Sequence, residues 1–452
     1  MTRLPPPGER LQSWSAGALA VILAVAVVVM FIPRPWIDPT LFQTGLFLLG
    51  GVWATALVVR PFELRFRLPI LPLACAAAWG LLQLAAHWTT GRADTRVAVL
   101  AWLGNLLAFF LAMQVCASSR VRRTFLDAVL CFAFVLSVVS VVQYFSQDGK
   151  IFWLFPTGES AVLGPFVNRD QYAAFIEMVL PLALLQALGG GSRGMGFAVV
   201  SAAMYASVIA GASRAGALLV TAEIVVVPLL SFARCGDGCR QHVGNPRRAG
   251  SLPRTDVNRP SATGWRGTLR VGAQSIQDSL GLGNRRTATI NLWLLAFVFA
   301  AVAGWAVLWN RFQDPDPLRG RREMLADTVT MIHARPWAGF GLGTFRTAHP
   351  AYASVDFGAV VNHAHNDWAE WSADGGIPFG LLLLSIAIWS IPAGLRTVWG
   401  IGLIAVFIHS LVDFPLQKPV LELWLFTLLG VVAAETSPIA SPNRRYFPRR
   451  RN

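Results

Sequence analysis

Long apolar runs recur along most of this chain, in place of the short alternating patterns of a soluble fold. With ends set to within a few residues, they are Ala16–Ile32, Leu41–Val59, Leu68–His87, Val97–Cys116, Phe125–Phe145, Gln171–Leu188 and Met195–Ala210. Gly216–Phe232, Thr289–Trp309, Ile377–Leu395, Val398–Asp413 and Pro419–Ala434 complete the series. A helix needs roughly 20 mostly apolar residues to cross the hydrocarbon core of a bilayer. Backbone in lipid must satisfy its own hydrogen bonds, so such runs predict helices. The expected fold is all-α, a polytopic integral membrane protein of about 12 transmembrane helices. The first run has the length of a signal peptide. No small-residue cleavage site follows Val21–Ile32, however, and Pro33–Arg34–Pro35 reads as an interfacial stop, so an uncleaved anchor is expected.

Two polar stretches interrupt the runs. Arg234–Thr287 is rich in Gly, Arg, Ser and Pro and poor in large apolar groups, so it is expected to be a flexible loop that does not fold alone. Arg311–Gly376 carries Trp, Phe, His and several carboxylates and is expected to form a small ordered lid between spans nine and ten. The chain then divides into spans one to eight (1–233), the inner loop (234–288), span nine (289–309), an outer loop with the site (310–376), spans ten to twelve (377–435) and a basic tail (436–452). No internal repeat of the solenoid or inverted-transporter kind is evident.

Composition sharpens this picture. Hydrophobic residues make up 54% and charged residues 14%, against about 25% charged in soluble domains. The net charge of +14 serves mainly as a topology signal. With the N-terminus inside, Arg60–Arg67, Arg120–Arg123, Arg234–Arg286 and the Arg444–Arg451 tail all fall inside. About 25 of the 38 basic residues then lie inside and about 13 outside. Both termini are therefore expected on the cytoplasmic side, with the basic loops drawn to anionic lipid heads. Nucleic-acid binding is disfavoured, because the arginines are spread over separate loops. Cys75, Cys116 and Cys131 fall in spans and read as small apolar residues. Cys235, Cys239 and His242 lack a fourth ligand for zinc, and no disulfide framework is implied.

The densest polar cluster is His363-Ala364-His365-Asn366-Asp367-Trp368-Ala369-Glu370, leading to Asp374-Gly375-Gly376. Asp367 with Glu370 reads as an N-cap and its returning partner, with the Gly pair closing the short helix and Pro378 opening the next. His365 then lies at a helix mouth, where a neutral imidazole can act as general base. Two other readings stand beside this one. The histidines can be interfacial, next to an aromatic belt of Trp368 and Trp371, or ligands of a metal together with a carboxylate. Arg214, in Ser213-Arg214-Ala215-Gly216, either grips a phosphate with paired hydrogen bonds or snorkels to lipid heads. Arg321 and Arg322 open a helix-like stretch, Arg321–His333, that ends before Pro336. The glycines of Gly339–Thr344 read as a tight turn rather than a dinucleotide loop, since no strand precedes them. In Gly164–Gln171, Asn168 with Gln171 can cap the next span. His409 and Asp413 are an ionisable pair at a span end, functional or merely paired.

Taken in order, these elements resemble the bacterial O-antigen ligase and O-antigen polymerase family, over Gly164 to about Gly430. The resemblance rests on the Gly-x-Phe-x-Asn turn at Gly164–Asn168, Ser213-Arg214, Gly320-Arg321 leading into Pro336–Gly341, His363–Asp367 followed by Asp374-x-Gly376, and His409–Pro415. It implies a metal- and nucleotide-independent glycosyltransferase of the inner membrane, with a periplasmic lid and no cofactor. The donor would be a glycan on undecaprenyl diphosphate, and the acceptor a hydroxyl of lipid A-core or of another glycan. By the same resemblance His365 is the catalytic base, and Arg214 and Arg321 hold the diphosphate. His363, Asn366, Asp374, Asn168 and Arg169 would orient the base or bind sugar. Asp374 stands where the family usually has Glu. Ligase and polymerase are not separated by these motifs. A transporter or flippase is the rival from another class. It would place ionisable groups near the midplane, whereas here the charges cluster at the outer ends, with Glu177 and Glu223 the main exceptions.

Overall fold

The computed structural model describes residues 5–32, 37–146, 149–158, 162–243, 286–302, 305–313, 320–356 and 358–436. The side chains of 37–39 and 235–243 are outside the description, as is most of the expected inner loop. The fold is a helical bundle in which the apolar runs become α1 (Glu9–Val29), α2 (Ile37–Val59), α3 (Ile70–Ala85), α4 (Arg92–Val115) and α5 (Ser119–Ser146). After a two-stranded hairpin, Lys150–Ile151 with Phe155–Pro156, come α6 (Arg169–Ala187), α7 (Gly191–Gly211) and α8 (Arg214–Val243). The chain continues through α9 (Arg286–Val302), α10 (Ala306–Phe312), α11 (Arg321–Ala334) and α12 (Phe345–Ala348). It finishes with α13 (Asp367–Thr397), α14 (Ile401–His409) and α15 (Pro419–Glu435).

Seven of the described helices are long and apolar enough to cross a membrane, or eight if α9 and α10, bent by 84°, count as one. The chain is a multi-pass membrane protein. The expected spans over α3, α6, α14 and α15 fall outside that count. Two of those helices have 16 and 17 residues, and α14 has only 9, about 13 Å of helix. Conversely, α8 runs on to Val243, so the chain stays helical past the expected loop start at Arg234.

At the bundle centre, α6 and α15 are buried along almost their whole length. Lipid offers apolar surface everywhere, so close packing and polar contacts, rather than the hydrophobic effect, hold such helices together. Gly402 of α14 lies against the backbone of Glu177, and Gly430 of α15 against that of Phe109, leaving no room for a side chain at either place. Trp424 is fully buried and donates to the Leu23 carbonyl at 3.1 Å.

Charge is divided between the ends. Glu9 and Arg120 pair at one end, as do Arg122 and Glu435. The opposite end gathers the start of α6, α8, α11 and α13 and the close of α14. There, residues 320–373 form a second small core around Met331, Phe340, Phe345, Ala348, Ala364 and Ala373. This module docks where α13 breaks. Gly376 takes φ 77°, which frees two carbonyls in the turn before it. The Ala373 carbonyl accepts from Phe340 N–H at 3.0 Å and that of Asp374 from Gly341 N–H at 2.9 Å. Ile377 N–H donates to the Pro336 carbonyl at 2.8 Å. As expected, α11 closes at Ala334, just ahead of Pro336.

Candidate functional site

His365 holds a left-handed backbone, φ 51°, which costs a non-glycine residue about 1–2 kcal/mol. Hydrogen bonds made by the next two residues balance that strain. Asn366 is the true N-cap of α13, its side-chain oxygen accepting from Ala369 N–H at 2.9 Å while its amide donates to the Leu411 carbonyl at 2.8 Å. Asp367, the expected cap, is instead the first helical residue, fully buried, and accepts from Leu416 N–H at 3.0 Å. Glu370 does not return to a capping box. It accepts from Ala364 N–H at 2.7 Å and meets His363 Nδ1 at 2.9 Å.

His363 and His365 thus turn to different carboxylates. His363 stacks on Phe414 with ring centroids 4.6 Å apart, and burial, with Lys418 nearby, lowers its pKa to about 3. His365 meets the edge of the same ring and places Nδ1 3.2 Å from Asp413 Oδ1. Asp413, almost fully buried, also accepts from Phe414 N–H at 2.9 Å. Arg321 bridges two acids: Nη2 lies 3.2 Å from Asp413 Oδ2 and 3.3 Å from Asp170 Oδ2. Its Nη1 donates to the Val412 carbonyl at 2.8 Å. Burial works against an ionised Asp413, but hydrogen bonds from His365 and Asp170 and the Arg321 charge outweigh it and hold its pKa below the usual carboxylate range. Asp170 moves the other way, raised by burial and by its contact with Asp413. Each carboxyl thus acts on the ionisation of the other.

Around this floor stand more cations. Arg214 is the first residue of α8 and donates to the Arg311 carbonyl at 3.2 Å; Arg311 in turn donates to the Ala212 carbonyl at 2.9 Å. Arg311 feels the charges of Arg169, Arg214, Asp170 and Arg321 together. Asn168 caps α6, accepting from Asp170 N–H at 2.8 Å rather than pairing with Gln171. Ser213, beside Arg214, hydrogen-bonds Asp170 and also accepts from Gly216 N–H at 3.1 Å. The starts of α6, α8 and α11 therefore carry Arg169, Arg214 and Arg321 to one place, where helix N-termini add partial positive charge.

The remaining candidates sort themselves. Asp374 does not reach the histidines: its carboxylate accepts from Gly343 N–H at 2.8 Å and pins the glycine turn. Of the two tryptophans beside the histidines, Trp371 is buried and Trp368, half-buried, donates to the Phe407 carbonyl at 3.1 Å. His409 pairs not with Asp413 but with Glu177, at 2.8 Å. Asp170, His409 and Asp413 place three donor atoms within 4.8 Å of one another; the guanidinium of Arg321 supplies a cation to both carboxylates. Sequence reasoning gave neither Asp170 nor Arg311 a role at the site. Arg311, two residues past an apolar run at the same end as Arg214, gives the signal that would have found it. The chain matches no protein-family model and no curated protein.

Proposed function

We propose that this chain is a metal-independent membrane glycosyltransferase of the O-antigen ligase or polymerase type, acting on a glycan carried by undecaprenyl diphosphate. The observation that carries the reading is that Arg321 and His365 rest on one carboxylate, Asp413, with Arg214, Arg169 and Arg311 beside them. A base and a group of guanidinium ions gathered at one end of the bundle suit a reaction that deprotonates a hydroxyl while a diphosphate departs.

In this reading the acceptor hydroxyl loses its proton to His365 Nε2 while its oxygen bonds to the sugar carbon. The bond from that carbon to the diphosphate breaks, and the leaving charge falls on Arg321 and Arg214. Asp413 holds the Nδ1–H tautomer and steadies the imidazolium, as a carboxylate does for a histidine base elsewhere. Positive charge at the Glu9 end of the bundle, including Arg120, Arg122 and Arg234, supports an orientation with that end cytoplasmic and the site periplasmic. The protein would then sit in the bacterial inner membrane with lipid A-core or a growing glycan as acceptor.

The transporter reading draws on the buried Glu177–His409 pair and on Glu223. Both readings meet one test. The purified protein in detergent is given a lipid-linked glycan and an acceptor, with chelator present. Glycan transfer that is lost in His365→Ala, with folding unchanged, supports the enzyme. No transfer by the wild type, or full transfer by the variant, overturns it.

A further inference from the structure

Behind the site lies a second group of ionisable side chains that glycosyl transfer does not use. His409, Glu177 and Glu223 are all buried. His409 Nδ1 meets Glu177 Oε1 at 2.8 Å, and the Glu223 carboxylate interacts electrostatically with that of Glu177. Four atoms are left without hydrogen-bond partners: His409 Nε2, Glu177 Oε2 and both oxygens of Glu223. Glu223 lies nine residues into α8 from Arg214, about 14 Å along the helix, and Glu177 about 12 Å into α6 from Arg169. These positions are deep in the bundle, far from solvent at either end.

The elements packed on these residues supply few other charges. Among the described residues, α6 brings Glu177 and Asp170, α14 brings His409, and the turn after it brings Asp413; α13, packed on α14, brings the buried Asp367, whose N–H donates to the Ser410 carbonyl, and α15 brings the buried Glu422. α7 offers Tyr205, which is bonded to Thr221 at 3.1 Å, and α9 offers Trp293, which donates to the Ile224 carbonyl. Arg311 of α10 and Arg214 of α8 remain at the site end. An imidazolium can offset the buried Glu177 carboxylate that it meets, but Glu223 beside Glu177 is a second buried carboxylate. A lone buried charge costs several kcal/mol, so neutrality requires one more cation, and a proton needs the least room.

We propose that Glu223, Glu177 and His409 form a buried proton-binding site that is continuous, through Asp170 and Asp413, with the carboxylate floor under Arg321 and His365. His409 offers a donor atom within 4.8 Å of those of Asp170 and Asp413, so it links the two groups. The site holds its proton on a carboxyl oxygen, and no other bond is made or broken. A change of charge on the aspartate pair, such as a substrate anion drawing Arg321 away, shifts the affinity of the inner site for that proton. The coupling to catalysis rests on the glycosyl-transfer reading; the existence of the proton site does not.

Infrared spectroscopy of the full chain in lipid nanodiscs tests it without any transfer assay. The wild-type spectrum minus that of the Glu177→Gln/Glu223→Gln double variant at neutral pH is expected to show a protonated-carboxyl stretching band, shifted in deuterium oxide and unaffected by sodium; the difference removes the bands of the other buried acids, Asp367, Glu370, Asp374 and Glu422. Glu223→Gln or Glu177→Gln should remove or displace it, and Asp170→Asn should move its titration by roughly one pH unit. Absence of the band from that difference spectrum, its abolition by sodium, or a carboxyl region left unchanged by both single variants overturns the proposal. In the transfer assay, Glu223→Gln should shift the pH profile while the protein remains folded. A band that behaves as expected in a protein that transfers no glycan would leave the proton site standing and remove the enzyme.

Discussion

Asp413 touches more of the site than any residue named in the diphosphate grip or the base: His365 and Arg321 bear on its two oxygens and Asp170 hydrogen-bonds it. Asp413→Asn keeps the shape but can present an amide N–H where His365 needs an acceptor. Transfer should fall by about 10²–10⁴-fold, the range for general acid–base assistance, with acceptor binding little changed; a kcat within about threefold of wild type would remove Asp413 from the mechanism. Arg321→Lys should also fail, since one ammonium cannot reproduce a fork that reaches two carboxylates and the Val412 carbonyl; kcat measured on the same lipid-linked donor checks it. His363 bears on stability. Its pKa is lowered from 6.5 to about 3, so the folded state binds its proton less readily than the unfolded state. The resulting stabilisation is present above about pH 6.5 and declines as the pH falls toward 3. Thermal unfolding should therefore occur at lower temperature at pH 5 than at pH 7, and His363→Gln should flatten that dependence. Arg214 stood out in the sequence as an ionisable group interrupting an apolar stretch and His365 as part of the densest polar cluster, whereas Arg321 was singled out for the site by the family resemblance. Which carboxylate each histidine takes was not legible there. Glu370 is seven residues from His363 and Asp413 is forty-eight from His365, and only the folded α13 and α14 bring the second pair together.

Elements explain why the expected capping pattern was misplaced by one residue. Asp367 followed by Glu370 has the spacing of a reciprocal cap, yet Asn366 offers an equally good oxygen and Asp367 is needed inside, on Leu416 N–H. The helix break was better marked. Two glycines followed by Pro378 predicted a closure, and α13 indeed leaves helical geometry at Gly376. The use of that break, as a socket for the 336–341 turn, depends on contacts across the fold. Adding a methyl group at Gly376 would force a side chain into φ 77° and to 2.5 Å from the Trp337 carbonyl oxygen. Gly376→Ala is expected to destabilise the protein by about 1–3 kcal/mol, read as a lower Tm, and to lower transfer although no group of the site is altered. An unchanged Tm would mean that the 336–341 turn does not depend on this break. By contrast, the short reach of α14 was not visible in the sequence, because Val398–Asp413 is apolar throughout its first two-thirds; the turn to His409 and Asp413 is set by their partners on α6, α11 and the 363–366 segment.

The whole molecule separates two kinds of basic residue. At one end Arg120 and Arg122 meet the acids Glu9 and Glu435, and Arg234 donates to the Arg396 carbonyl. At the other, Arg169, Arg214, Arg311 and Arg321 crowd around Asp170 and Asp413. Crowding four guanidinium groups is unfavourable unless anions join them, whereas arginines scattered over the opposite end need no ligand and are the kind of charge that orients a membrane chain. The same residue type therefore reads as topology at one end and chemistry at the other, and sequence alone could divide them only by counting spans. That division fixes a test of orientation. In a background without native cysteines, Arg346→Cys on the site end and Arg120→Cys on the opposite end are both exposed positions. An impermeant maleimide added to intact cells with a permeabilised outer membrane should label the first, while the second should react only after the inner membrane is opened. Labelling in the reverse order would put the guanidinium cluster in the cytoplasm, where it could not meet a glycan already moved across the membrane, and the glycosyl-transfer reading would fall with it.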